Sequence, residues 1–370
     1  MKRIRTKSEL QEILESEELL NNLSVENVDL TGLEEKLKRA EVLNCYFLGC
    51  EIDKPVLNQL LERENYILPK MSLPYTLFQD ELYTKETLIN GYDKKDPDSY
   101  RFTKDFKIYT HFLANGKTPK SPYVGFARNL HDHSVEVAMQ KYLENWDDRK
   151  VIGIMGGHQI LRNDPEYLKV AFISKRLTED GYLMVSGGGP GMMEATHLGA
   201  WFAGRHDNDL VEATLILSES NLYSDRYWLS KAFEVIEQYP QISNYQSLGV
   251  PTWVYGHEPP NPFPTKIAKF FSVSVRQEGL LKIASGGIIY TPGSAGTIRE
   301  IFQDAEQNHY MTYGPASPMV FLGKDYWGNK VPVYNLIKNL SDKGFYKNMD
   351  VFIFDEIDEV VQTFIDNANE

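Results

Sequence analysis

The sequence predicts an α/β protein: a Rossmann-like, doubly wound parallel sheet with an irregular N-terminal region ahead of it. Three observations carry this. After Arg128, short apolar runs alternate with helix-length amphipathic stretches, as strands do when helices cover both faces of a parallel sheet. Three of those runs empty into glycine turns. The first 127 residues lack the alternation.

In chain order, Leu10, Ile13, Leu14 and Leu20 mark a short amphipathic helix near the start. Residues 27–52 mix strand-like and helical pieces, and 71–124 are rich in Pro, Tyr, Lys and Asp with little periodicity. Residues 1–127 are read as an accessory region and 128–370 as the Rossmann-like domain, with no internal repeat. "SVEVAMQKYLENW" is helical. Strands are predicted at 151–155, 182–186, 213–217 ("ATLIL"), 252–256 ("TWVYG"), 287–291, 318–322 and 351–355. Helices are predicted near 164–180, 190–203, 264–284, 296–309 and 333–343, and an acidic one closes the chain.

The 370 residues suit one large or two moderate domains. A net charge of −13 argues against binding a nucleic acid polymer, which needs clustered positive charge. An anionic ligand must therefore be held locally, by main-chain N–H groups and a few chosen cations. Cys45 and Cys50 read as free thiols, which fits a reducing cytoplasm. The charged N-terminus "MKRIRTKSELQEILESEELL" does not read as a signal peptide, and no stretch approaches the roughly 20 apolar residues of a membrane span.

The glycine turns are Gly156-Gly157-His158, Gly187 to Gly191, and Pro292 to Thr297. In a parallel sheet all three lie at the carboxyl edge, where open α/β sheets bind ligands. Glycine lets N–H groups approach an anion closely, and a helix N-terminus adds unpaired donors and about half a positive charge. The second and third turns together are expected to cradle a phosphate, with the Thr297 hydroxyl helping. Such glycines also occur in turns that bind nothing. The P-loop pattern fails, since Met192 follows Gly191 and Thr297 follows Gly296 with no lysine. The dinucleotide pattern fails as well, its last position falling on Met192 or Glu194. A mononucleotide or sugar phosphate fits better.

Glu300 follows Thr297 by one turn, roughly 4.5 Å along the helix axis. A phosphate at the turn would put a ribose near that carboxylate, which can stabilise an oxocarbenium-like cation or help water attack. Glutamate in a first turn is also a plain helix-dipole partner. Glu194 can likewise meet ribose hydroxyls or serve the dipole. Asp304, one turn after Glu300, reads as a structural helix residue ahead of a second acid, and His197, His309 and Tyr310 read as packing, surface or interface residues. Glu258, Asn261 and the prolines of "HEPPNP" either line a base pocket or form a rigid turn. No His/Cys/Asp group has metal-ligand spacing. No lysine stands beside the glycine turns as a Schiff-base partner for pyridoxal phosphate.

"TPGSAGTIRE" resembles the PGGxGTxxE signature of the LOG family, with Ser294 in place of its second glycine. "SGGGPGMMEATHLGA" resembles that family's GGGxxGxM motif, and "HEPPNPFPTKIAKFFSVSVRQEGLLKIASGGIIY" is similar to the matching stretch of its longer bacterial members, the purine/pyrimidine nucleotide 5′-monophosphate nucleosidases. The resemblance covers about residues 140–325. It implies hydrolysis of the N-glycosidic bond of nucleoside 5′-monophosphates such as AMP, giving free base and ribose 5-phosphate, with no cofactor or metal. It also implies a homodimer or homotetramer. Glu300 falls on the family's catalytic glutamate. Arg276 falls on its catalytic arginine if one residue is inserted near Gly286-Gly287. Gly188, Gly189, Gly293, Ser294, Gly296 and Thr297 fall on phosphate and ribose contacts, and Gly156 and Gly157 on the first loop, where His158 is a departure. The alternative is a nucleotide-binding sensor or carrier with the same cradle and no turnover.

Overall fold

A computed structural model describes residues 1–17 and 19–369. The chain divides into two compact units, Met1–Asp80 and Glu81–Glu370.

In the larger unit seven parallel strands form one sheet. They are β1 Val151–Met155, β2 Leu183–Ser186, β3 Ser247–Gly249, β4 Lys266–Ile267, β5 Gly287–Tyr290, β6 Met319–Leu322 and β7 Val351–Phe354. The order across the sheet is β4-β3-β2-β1-β5-β6-β7. The chain starts at β1, moves outward through β2 to β4, returns to the other side of β1 as β5 and moves outward again. The reversal lies between β1 and β5, whose residues pair from Gly287–Ile152 to Tyr290–Met155. β1, β2, β5 and β6 are buried along their whole length, as strands covered on both faces must be. The sheet is thus the doubly wound, Rossmann-like one expected.

The α-helices of this unit longer than a single turn are α1 Lys104–Asn115, α2 Pro122–Leu143, α3 Pro165–Glu179, α4 Met192–Trp201, α5 Asp207–Ser218, α6 Trp228–Gln238, α7 Val273–Ile283, α8 Ala295–Tyr310, α9 Val333–Asp342 and α10 Ile357–Asn369. Three expectations need correction here. The run 213–217 lies in helix α5, which buries Leu210, Ala213, Thr214 and Leu217, a helical spacing. The third strand is instead Ser247–Gly249, and 252–256 holds only a short 3₁₀ turn, Trp253–Tyr255. The stretch 264–284 begins as strand β4, and its helix starts only where the Ser272 hydroxyl caps the Val275 N–H.

The division after Asp80 differs from the boundary expected at 127/128. Segment 81–127 belongs to the larger unit and is hooked by polar contacts to the sheet and its neighbouring loops. Tyr83 exchanges two main-chain hydrogen bonds with Ile267 in β4, at 2.7 and 3.0 Å. Asp105 in α1, fully buried, accepts from Lys269 at 2.6 Å and from the Trp253 indole at 3.2 Å.

The smaller unit is not irregular. Ile4, Val25, Phe47 and Ile67 stack in one parallel sheet at intervals of 21, 22 and 20 residues, so a strand–helix coil repeats that the sequence pattern concealed. Asn22, Asn44 and Glu64 take the left-handed conformation at the matching turn of successive coils, a place asparagine tolerates. Buried Asn65 ties the last coil down, donating to the Val42 and Leu60 carbonyls and accepting from the Cys45 N–H. Cys45 and Cys50 are free and buried in this core.

Candidate functional site

The turns after β1 and β5 flank the sheet's reversal, and a cleft of about 430 Å³ opens beside them. Its lining includes Gly156 and Gly157 of the first turn, Gly187 of the second, Met193 of α4, Ser294, Gly296 and Thr297 at the third, and Arg276 and Glu300. A larger groove of about 840 Å³ lies along the outer side of α8, with Phe302, Tyr310 and Phe345 in its wall, but none of the glycine turns reaches it.

Helix α8 begins without a side-chain cap. Its first N–H groups have no partner within the helix, and they open beside Gly296, where an added Cβ would meet nothing within 4 Å. Gly293 and Gly156 are glycine for a different reason: a Cβ would overlap the Thr297 hydroxyl in one case and the Thr291 hydroxyl in the other. Ser294, in place of the second signature glycine, has φ −115°, a conformation open to any residue.

Of the second turn, expected to pair with the third, Gly187 alone lines the cleft. Helix α4 has its first N–H closed off, since Met192 donates to the Gly157 carbonyl at 3.1 Å. First and third turns face the cleft together because β1 and β5 are neighbours. Gly188, Gly189 and Gly293 are not part of the lining. Gly188, at φ +69°, packs against Pro251 and accepts from the Asn261 N–H, and Gly189 lies near the Glu258 carboxylate. Glu194 is fully buried, and its two oxygens take Nε and Nη2 of Arg162 at 2.9 and 2.6 Å and the Tyr167 hydroxyl at 3.0 Å. Held by these three donors and shut off from solvent, Glu194 does not line the cleft.

Arg276 comes from α7 and Glu300 from α8, and the two meet in the cleft. The guanidinium donates through Nε to the Val250 carbonyl at 2.6 Å and through Nη2 to the Gly187 carbonyl at 3.3 Å. Its third nitrogen, Nη1, stands 3.8 Å from Glu300 Oε1. That is an ion pair but too long for a hydrogen bond, so both groups keep capacity for a ligand. Burial pushes the Glu300 carboxyl above its ordinary value, with Arg276 and Arg299 pulling the other way. Burial also lowers Arg276, which Glu300, Tyr255 and Glu258 hold up. The guanidinium stays charged at any working pH.

Glu258 belongs to the lining. Burial raises its carboxyl to about 7, against Arg276 and Lys269. Asn261 goes the other way: it is fully buried, accepts from the Phe263 N–H and fixes the turn. Asp304 is structural, buried and bonded by the Tyr290 hydroxyl at 2.6 Å. His197 is buried against the Ser186 hydroxyl. Met155, Met193, Tyr255, His257, Val273 and Gln277 also line the cleft. No sequence signal singled them out except nearness to a glycine turn or to Arg276.

Among the described residues no helix is long and apolar enough to cross a membrane, and no group of His, Cys, Asp and Glu is placed to hold a metal. No protein-family model matches the chain. No curated protein matches it either. Among solved structures it is similar to the Moco carrier protein from Chlamydomonas reinhardtii, at 14% identity and a TM-score of 0.38 over 59% of this chain and 97% of that one. It is similar to the molybdenum cofactor binding protein from Rippkaea orientalis, at 16% identity and a TM-score of 0.34 over 58% and 96%. It is also similar to TM1055, a structural-genomics target, at 18% identity and a TM-score of 0.39 over 59% and 99%.

Proposed function

We propose that this chain is a nucleoside 5′-monophosphate N-glycosidase of the LOG type, releasing the base from AMP or a related nucleotide and leaving ribose 5-phosphate. One observation carries the reading: the Arg276–Glu300 pair lies in the same cleft as the uncapped N-terminus of α8. The phosphate rests on the N–H groups from Ala295 to Thr297, which favour an anion. Glu300, one turn on, faces the ribose. Water oxygen bonds to C1′ as the C1′–N bond breaks, the bonding electron pair leaves with the base, and the base takes up a proton. The cation-like sugar formed on the way is stabilised by the Glu300 carboxylate. Arg276 grips phosphate or sugar oxygens through Nη1, its other nitrogens being anchored on main-chain carbonyls.

Incubation with AMP, GMP, CMP and UMP, followed by chromatography for free base, tests this. Release from at least one is expected, and no release from any with Glu300 intact removes the reading.

A second reading has one observation in its favour. Two of the three Arg276 nitrogens are held by carbonyls, which suits a cradle that binds without turning over. A sensor or carrier of a phosphorylated ligand would bind a nucleotide in the same assay and release no base.

A further inference from the structure

We propose that His158, Tyr223 and His257 form an aromatic rail at the cleft that seats the flat base of the substrate and thereby sets which nucleotides are accepted. This rests on the reading above, that a nucleoside monophosphate is bound.

The rail is built from three separate loops. His158 follows the glycine turn after β1, Tyr223 lies between α5 and α6, and His257 follows the short turn at Trp253–Tyr255. Both histidines line the cleft. The Tyr223 ring lies near both, its centroid 6.1 Å from that of His158 and 6.4 Å from that of His257. The planes meet at 50° and 66°, so Tyr223 stacks flat on neither imidazole.

The rest of the site leaves the base one direction to go. Ser294, Gly296 and Thr297 surround the helix end that takes the phosphate, and Arg276 and Glu300 stand beside the sugar. What remains of the polar and aromatic lining is His158, Tyr255, His257, Glu258 and Gln277, and the aromatic rings among them are His158, Tyr255 and His257. Ring faces there suit a base, since every base has a π-face and stacking on an aromatic side chain contributes on the order of 1–3 kcal/mol. Burial, with His257 nearby, holds the His158 imidazole below its ordinary value, so it meets a ligand as a neutral ring with one donor and one acceptor.

The test separates the base from the rest of the ligand. In a Glu300→Gln background, which is expected to slow turnover strongly, AMP and ribose 5-phosphate are titrated by calorimetry. His158→Ala and His257→Ala are each expected to weaken AMP by about fivefold to a hundredfold. Ribose 5-phosphate should change by less than about twofold, and His158→Phe should restore AMP. Unchanged AMP affinity in both alanine variants overturns the rail alone. Equal loss of both ligands in His257→Ala, at an exposed position where the fold tolerates change, overturns it too. If the protein with its rail intact binds neither ligand, the nucleotide reading falls and takes the rail with it. Should His158→Ala disturb the fold, lost ribose 5-phosphate binding will reveal it, and His257→Ala decides.

Discussion

Nη1 of Arg276 stands 3.8 Å from Oε1 of Glu300, and the two side chains come from different helices on either side of strand β5 in the chain. A charge pair that is close but not hydrogen-bonded is poised for a third partner. The rest of the guanidinium is fixed by Val250 and Gly187, so its direction is set before a ligand arrives. Such preorganised charge is worth more in a shielded cleft than in water.

Replacing Glu300 by glutamine keeps the shape and removes the charge. Base release is expected to fall by about 10²- to 10⁴-fold, the usual range for a positioned acid or base. AMP affinity should hold or improve, because one negative charge leaves the cleft. Single-turnover assays and calorimetry on the same variant check both halves. Base release within about threefold of the parent would remove Glu300 from the chemistry.

Gly187 should behave as a site residue although no hydrogen of its own need touch a ligand. A Cβ there would overlap Arg276 Nη2 and come within 2.6 Å of Met193 Sδ. Both are far ends of flexible side chains, so Gly187→Ala should be cheap for the fold, costing no more than about 1–2 kcal/mol. Arg276 must swing away, however, and kcat/KM should drop by about tenfold or more, since small misplacements at a reacting centre are costly. A thermal melt near that of the parent with activity lost is the expected pair of results. Full activity would mean that the guanidinium needs no fixed seat.

The raised Glu258 carboxyl gives the cleft a pH dependence. Its folded value, about 7, lies above the ordinary carboxylate range because of burial, so it is neutral below that pH and negative above it. Ionisation puts a further negative charge beside an anionic ligand. AMP binding, measured in the Glu300→Gln background, should therefore weaken by about threefold to tenfold as pH rises from 6 to 8.5. Glu258→Gln should flatten most of this dependence, the phosphate itself titrating in both proteins. A profile unchanged by the substitution would show that Glu258 does not titrate in that window.

The sheet and its helices after Arg128 were legible because buried parallel strands write continuous apolar runs. One exception, "ATLIL", is a run of strand-favouring residues in a helix. Its neighbours carry the helical spacing from Leu210 to Leu217, visible only in a longer window. The true third strand, Ser247–Gly249, has three residues with a serine and a glycine at its ends, too short and too polar in composition to register. At the site, Glu300 and Thr297 are fixed by one local helix start, so their joint placement could be read from spacing. Arg276 reaches them through main-chain carbonyls of Val250 and Gly187, contacts that only the fold creates. Glu194 misled for the same reason. Its position after Gly191 suits a ribose, yet Arg162, distant in the chain, occupies it.

Asp304 offers a test of the fold beneath the site. It sits one turn past Glu300, is almost wholly buried, and accepts from the Tyr290 hydroxyl. Burial raises its carboxyl from an ordinary 3.8 to about 7, the Tyr290 bond opposing. The folded chain thus holds this proton more tightly than the unfolded one. The protonated form's contribution to stability is complete below pH 4 and fades as pH rises through about 7, above which the folded state carries a buried negative charge. A shift of this size corresponds to a stability difference on the order of 4 kcal/mol across that range. Asp304→Asn cannot ionise and can still accept from Tyr290, so it should melt close to the parent at pH 4.5 and several degrees higher at pH 8. The gain comes from removing the cost of a buried charge and should fade on acidification. A melting difference that stays constant between those two pH values would show that Asp304 is ionised in the fold throughout, with a compensating partner in place of the lone tyrosine.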